Sequence, residues 1–187
     1  KVAKANLLAV TKNDEKKYQQ LLAQAQKELE ALATSQFTGK RAVKKGDLIG
    51  LMGSTGFSTG AHLHYGYYNI REEEVDSLFG STNWYFSRYE SPEGSLQPRT
   101  LTFEPYSCDD VTSRQSKSIG GGSFPWPMSN PRITQCYGHT PYSSVYPGNF
   151  HQGIDIADSS DIIVRAIEDG VAYFYRGTSS FGNKLVI

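Results

Sequence analysis

Two short segments of the sequence alternate ionisable and apolar residues with a period of two, which is the side-chain spacing on one face of a β-strand. In the first segment, AHLHYGY at residues 61–67, His62 and His64 fall on the same face of the predicted strand. The leucine and the tyrosines of this segment fall on the opposite face. The pattern therefore predicts a strand that turns an apolar face to a core and presents two imidazoles on the other side.

The second alternating segment is FHQGIDIA at residues 150–157. In an extended chain His151, Gly153 and Asp155 share one face, and the two isoleucines occupy the other. A histidine and a carboxylate placed in this way can each supply one bond to zinc, and we expect Gly153 to leave room for the ion or for a substrate backbone. A loop histidine with a turn-capping aspartate is the alternative interpretation.

Together the two segments predict a metal site. His64, His151 and Asp155 provide two nitrogens and one oxygen, a tripod that leaves the fourth tetrahedral position of zinc to water. Zinc lowers the pKa of such a water towards neutrality, and His62 is predicted to accept its proton or to steady the transition state. Hydrolysis is the expected chemistry.

Two further groups of residues are weaker candidates. His139 lies in a turn-rich stretch a short distance before His151, so it either approaches the site or is an exposed loop histidine. The acidic run REEE at residues 71–74 has no metal-ligand spacing and predicts a solvated helix start without a catalytic role.

The size and charge of the chain limit the classes of protein to which it can belong. Its 187 residues suit one compact domain with some length left for a helical arm. Lys plus Arg and Asp plus Glu both number 19, so no overall field favours nucleic acid or an anionic membrane as a partner. No apolar stretch approaches the roughly 20 residues that span a bilayer, and no signal-peptide pattern is present. We expect the sequence to be part of a longer one.

The first 36 residues predict a helical arm. Between residues 12 and 36 apolar residues recur four and three apart, which is the spacing of a heptad seam. This seam consists of Tyr18, Leu22, Ala25, Leu29 and Leu32. We interpret the segment as the end of a coiled coil, with an ordinary surface helix as the alternative.

Residues 37–187 predict a mainly β, antiparallel domain, because short apolar segments alternate with Gly, Ser and Thr turn signals. Residues 109–123 are polar and Gly-rich and predict a flexible connection between a first half, 37–108, and a second half, 124–187. Within the second half, residues 162–166 and 171–175 flank an Asp-Gly pair and predict a tight hairpin.

Several motifs resemble the lysostaphin and LytM type of zinc metallopeptidases, which cut peptide cross-links in bacterial cell walls. FPWP at 124–127 with RITQ at 132–135 resembles the opening strand of this family, and HQGIDIA at 151–157 resembles its first metal motif. The segments VRA at 164–166, DGV at 169–171 and GNKLVI at 182–187 resemble the hairpin that follows. VKKGDLIG at 43–50 and GSTGFSTGAHLH at 53–64 resemble the closing segment.

The resemblance implies that His151, Asp155 and His64 are zinc ligands and that His62 is a catalytic histidine. It also implies two departures from the family. The closing motif precedes the opening motif, so the domain is expected to be circularly permuted, and a domain swap between chains would suit the same sequence. A further family histidine, in a Tyr-x-His-Leu-like strand, would follow Ile187 in this order, so either the sequence is cut before that strand or the protein lacks one catalytic group.

The function that we expect is zinc-dependent hydrolysis of peptide bonds in peptidoglycan stems or cross-bridges. The alternative is a LytM-like module of little or no activity that binds and activates another wall hydrolase, with the helical arm contacting that hydrolase or a membrane complex. Either function implies an extracytoplasmic location. In such a compartment we expect a disulfide between Cys108 and Cys136.

Overall fold

The computed structural model describes residues 38–79, 88–177 and 182–187. The chain divides into two units, Lys1–Phe37 and Thr38–Ile187, and every described residue belongs to the second. The predicted helical arm therefore lies outside the described residues. Within the described ranges no helix is long and apolar enough to cross a membrane.

Short strands dominate the described part of the chain, as the sequence predicts. In chain order they are β1 (Thr38–Val43), β2 (Leu48–Leu51), β3 (Leu63–Tyr65), β4 (Tyr67–Tyr68), β5 (Tyr89–Glu90), β6 (Arg99–Phe103), β7 (Gln115–Ile119), β8 (Arg132–Gln135), β9 (Ile154–Ala157), β10 (Ile163–Arg165), β11 (Gly170–Tyr175) and β12 (Lys184–Val186). The helical elements are an α-helix, Val75–Phe79, and the 3-10 turns Glu72–Glu74, Pro92–Gly94, Ser143–Val145 and Pro147–Asn149. The predicted helix start at the acidic run is confirmed.

The largest sheet has five strands in the order β3-β9-β8-β6-β7. Its neighbours are antiparallel except for β6 and β8, which run parallel. A second sheet has the order β1-β11-β12, and two-stranded sheets join β2 to β10 and β4 to β5. The mainly β, antiparallel fold class is confirmed.

The first three strands all pair with strands from the second half of the domain. β1 pairs with β11, β2 with β10 and β3 with β9, each antiparallel. These pairs join residues 89 to 137 positions apart in sequence, and three of the four described sheets contain strands from both halves. A single chain thus brings the two predicted halves together.

The main core lies on the apolar face of the five-stranded sheet. Ile133 of β8 and Ile154 and Ile156 of β9 are fully buried. Leu63 and Tyr65 of β3 pack against the same cluster, on the face that the alternating pattern assigns to the core. A smaller cluster forms where the short α-helix packs against Tyr173 of β11.

The predicted tight hairpin in the second half is wrong. β10 and β11 enter different sheets, because the turn between them is bound to the turn between β1 and β2. Ala166 accepts a hydrogen bond from the Gly46 amide at 2.8 Å, and the Asp169 carboxylate accepts one from the Lys45 amide at 2.8 Å. These contacts hold the two turns against each other and send the flanking strands apart.

The flexible connection predicted for residues 109–123 is also wrong, since it contains β7, which pairs with β6 along its whole length. Two of the three glycines that follow β7 permit a close backbone approach. A Cβ at Gly122 would lie 2.3 Å from the Ser95 carbonyl oxygen, and Gly120, at φ 104°, would place one 2.4 Å from the Gln97 carbonyl oxygen. The Gly-rich composition therefore reflects tight packing of chain against chain.

Cys108 and Cys136 form a disulfide, which confirms the predicted pairing. Cys108 follows β6 and Cys136 follows β8, and both lie in the main core cluster. Closing a loop with a sequence separation of 28 residues restricts the unfolded chain. On the chain-entropy estimate the bond stabilises the fold by roughly 3 to 4 kcal/mol.

We expect the Gly122→Ala substitution to lower the free energy of unfolding by about 1 to 3 kcal/mol, the usual cost of forcing a methyl group into packed structure. Gly121→Ala is the matched control, because a Cβ there meets nothing within 4 Å and the residue has no positive φ. Chemical denaturation of the two variants measures the difference. Equal stability in both variants would contradict the close approach.

Candidate metal centre

The site is built on the pairing of β3 with β9. In this antiparallel ladder His64 lies directly opposite Asp155, and Leu63 lies opposite Ile156. Neighbouring side chains on a strand point to opposite faces, so the buried isoleucines of β9 fix the ionisable face on the other side. The cross-strand register thus places an imidazole beside a carboxylate.

His151 reaches the same point from the chain that precedes β9. It forms an isolated antiparallel bridge with Gly138, and each backbone amide donates to the carbonyl of the other at 2.9 Å. Gly138 has a φ of 104°, a region in which other residues are strained. This bridge holds the histidine with its side chain fully buried.

One ligand atom from each of the three residues converges on a small triangle. His64 Nδ1 lies 3.0 Å from Asp155 Oδ1 and 3.0 Å from His151 Nε2, and His151 Nε2 lies 3.2 Å from Asp155 Oδ1. Zinc bonds of about 2.0 to 2.2 Å in tetrahedral geometry put ligand atoms about 3.4 Å apart. Among the described residues these three side chains form a group able to hold a metal ion.

The hydrogen bonds around His151 test whether a cation fits. Its Nδ1 lies 2.8 Å from the Cys136 carbonyl oxygen, which can only accept, so Nδ1 carries the proton. In the neutral imidazole, Nε2 then presents a lone pair to the Asp155 carboxylate. Two acceptor atoms at 3.2 Å repel each other unless a proton or a metal ion lies between them. The donor set and its tautomer therefore fit a divalent cation.

Asp155 is held in its ionised form. Burial alone would raise the pKa of this carboxyl, but its interactions with the imidazoles of His151 and His64 outweigh burial and lower the pKa below its usual value. The carboxylate is therefore available as an anionic ligand at neutral pH.

His62 lies beside the triangle and outside it. Its Nε2 is 3.7 Å from Asp155 Oδ2, which is too long for a hydrogen bond. Its Nδ1 lies 2.9 Å from the Gly60 carbonyl oxygen and so carries the proton, which leaves a lone pair on Nε2 facing the site. The side chains of His62 and His64 are 25% and 29% exposed, whereas that of His151 is 0% exposed, so solvent reaches the site from the β3 side.

Gly153 does not leave room for an ion or a substrate, contrary to the expectation from sequence. A Cβ on this residue would lie 2.6 Å from His64 Nε2 and 2.7 Å from the Tyr65 carbonyl oxygen. The imidazole of His64 fills the space above the glycine. The residue therefore matters because it lets β3 and its histidine approach β9.

His139 is an exposed loop histidine, the second of the two predicted alternatives. Its Nδ1 donates to the Asn149 carbonyl at 2.8 Å, and its ring packs edge-on against Phe150 at 5.2 Å between centroids.

Two neighbours of the site could not be predicted from the sequence. Tyr146 lies 5.1 Å from the His151 ring, and Cys136 contributes a backbone oxygen, which no side-chain pattern reveals.

We expect Gly153→Ala to displace His64 and so to weaken metal binding at least tenfold, in addition to destabilising the fold by about 1 to 3 kcal/mol. Gly50→Ala is the matched strand control, because a Cβ there meets nothing within 4 Å. Zinc affinity measured against a competing chelator compares the two. Wild-type affinity in a folded Gly153→Ala protein would contradict the packing of His64 on this glycine.

Comparison with known protein families gives one match, which covers part of the chain around this site. Residues 6–77 match peptidase family M23, a range of 72 residues that includes His62 and His64 but ends before His151 and Asp155. The match begins inside the segment predicted as a helical arm. No curated protein sequence and no solved structure matches the chain. The chain therefore contains a region similar to peptidase family M23, and this region includes His62 and β3 with His64.

Proposed function

We propose that this domain is a zinc metallo-endopeptidase that hydrolyses peptide bonds in peptidoglycan stems or cross-bridges. The observation that carries the proposal is the triangle of His64, His151 and Asp155, whose ligand atoms lie 3.0 to 3.2 Å apart. The match of residues 6–77 to a peptidase family supports it. The resemblance of the metal motifs to enzymes that cut cell-wall peptides supports the choice of substrate.

In this proposal each of the three ligands binds zinc through one atom. His151 binds through Nε2 and Asp155 through Oδ1, and His64 binds through Nδ1. When bound, zinc acts as a Lewis acid and lowers the pKa of water at its open position towards neutrality. The partly exposed edge of the site on the side of His62 and His64 gives peptide and water access to that position.

His62 is the proposed proton acceptor. The Gly60 carbonyl keeps the proton of this imidazole on Nδ1, so Nε2 has a lone pair to take a proton from the attacking water. The position of Nε2 next to Asp155, but beyond bonding distance, suits a group that acts beside the metal. It can then return the proton to the leaving amine.

A second candidate function is that of a weakly active or inactive LytM-like module that activates another wall hydrolase. The observation that favours it is the number of histidines. Among the described residues two of the four histidines are proposed ligands and His139 is bonded elsewhere, so in this part of the chain His62 alone is placed for proton transfer. In this alternative the predicted helical arm contacts the partner hydrolase or a membrane complex.

We also propose that the domain is a circular permutation of the family arrangement, with an extracytoplasmic location. The pairing of β1, β2 and β3 with β11, β10 and β9 supports the permutation, because the closing segment completes its sheets within one chain. The disulfide supports the location, since such bonds persist in oxidising compartments.

Substitutions at three histidines separate ligand from proton acceptor. We expect His64→Ala to lose zinc, because it removes one of three protein ligands. His62→Ala should retain zinc and reduce the rate of peptide hydrolysis by about 100-fold to 10,000-fold. His139→Ala, the exposed control, should change neither. The measurements are bound zinc per chain and the turnover of a cross-linked peptidoglycan peptide, and zinc retained in His64→Ala would refute the ligand assignment.

Metal removal distinguishes the two functions. For an endopeptidase, we expect a chelator to abolish hydrolysis of purified peptidoglycan and added zinc to restore it. For an activator, the domain alone releases no new amino groups from peptidoglycan with or without zinc, but it raises the rate of a second wall hydrolase. Counting the amino groups released in each case decides between them.

A further inference from the structure

Cys136 lies in the short link between two backbone contacts. One contact holds Asp155 and the other holds His151, the two proposed metal ligands of the second half. The residue before it, Gln135, ends β8 and pairs with Asp155. Gly138, two residues after it, forms the bridge with His151. The Cys136 carbonyl accepts the Nδ1 hydrogen bond of His151 at 2.8 Å. Its orientation therefore determines which nitrogen of the imidazole carries the proton and where Nε2 points.

The loop after β6 holds this link in place by two attachments. The Cys136 amide donates to the Ser107 carbonyl at 2.8 Å, and the sulfur of Cys136 is bonded to Cys108. The loop has internal support of its own: Ser107 is fully buried, and the Val111 amide donates to the Cys108 carbonyl at 3.1 Å. The hydrogen bond to Ser107 and the covalent bond to the adjacent Cys108 together restrict rotation of the backbone at Cys136.

We propose that the Cys108–Cys136 disulfide is a positioning element of the metal centre, holding the Cys136 carbonyl against His151 so that Nε2 faces His64 and Asp155. The inference deepens the proposed function, because it rests on a metal bound by these residues. Outer-sphere groups that orient a ligand histidine contribute about 10-fold to 100-fold to metal affinity.

A consequence is that metal affinity depends on the redox state of the protein. A dithiol reductant would transfer two electrons and two protons to the sulfurs, giving two cysteine thiols and the cyclic disulfide of the reductant. Of the two attachments of Cys136 to the loop after β6, only the hydrogen bond to Ser107 would then remain. The site is therefore expected to bind zinc best under oxidising conditions.

The test compares the zinc dissociation constants of three folded proteins by competition with a chromophoric chelator. We expect Cys108→Ala combined with Cys136→Ala to raise the dissociation constant at least tenfold over the wild type. Leu101→Ala is the matched control: this residue is a buried member of the same core cluster, on β6, so the substitution destabilises the fold without touching the link. The zinc dissociation constant of Leu101→Ala should stay within about twofold of that of the wild type.

Two outcomes would overturn the positioning role: an unchanged dissociation constant in the double variant, or equal weakening in the double variant and in Leu101→Ala. A second measurement isolates the hydrogen bond. We expect the Nδ1 proton of His151 to give a slowly exchanging signal in nitrogen-15 NMR spectra of the wild type and of Leu101→Ala, and to lose it in the double variant. Persistence of that signal in the double variant counts against the proposal.

If the double variant does not fold, the native zinc-loaded protein is reduced with a phosphine, which takes the oxygen of water and leaves two thiols. Zinc transfer to the chelator should then accelerate at least tenfold, and an unchanged rate with two thiols detected would overturn the proposal. A wild type that binds no zinc refutes the proposed function as well. A wild type that binds zinc equally well with and without the disulfide refutes the positioning role alone.

Discussion

The site depends on the antiparallel pairing of β3 with β9. This ladder has only three residue pairs, yet it joins the two halves of the domain and sets His64 opposite Asp155. A slip of one residue would turn the histidine to the core face and place Leu63 opposite the carboxylate. The register is held by burial, because Ile154 and Ile156 are fully enclosed and Leu63 packs against the same cluster. Core packing and site geometry therefore have the same origin.

Backbone groups prepare the histidines for their proposed work. The Cys136 carbonyl fixes the proton of His151 on Nδ1, and the Gly60 carbonyl does the same for His62. In both residues Nε2 is left with a lone pair facing Asp155. This arrangement suits the two imidazoles to different proposed roles, although they share one tautomer: only the Nε2 of His151 is within hydrogen-bonding distance of the carboxylate.

The failed predictions share a cause. Asp169 and Gly170 have the composition of a hairpin turn, but the Asp169 carboxylate bonds to Lys45, more than 120 residues away in sequence. Gly122 lies in a segment with the composition of a flexible linker, but the lack of a Cβ on this glycine lets the Ser95 carbonyl approach closely. Local composition cannot distinguish a glycine that gives freedom from one that permits contact, because the difference lies in distant parts of the chain.

Alternation along two strands was enough to predict the apolar and ionisable faces of β3 and β9, because side-chain direction in a strand is a local property. Short apolar segments between turn signals predicted the mainly β fold. The sequence by itself also contains the chemistry of the candidate ligands His64, His151 and Asp155. Only the tertiary structure decided that these atoms meet within one chain, that Gly153 accommodates an imidazole, and that the carbonyl of the disulfide-bonded Cys136 lies against His151. These features are contacts between segments far apart in sequence, and packing of the whole domain determines them.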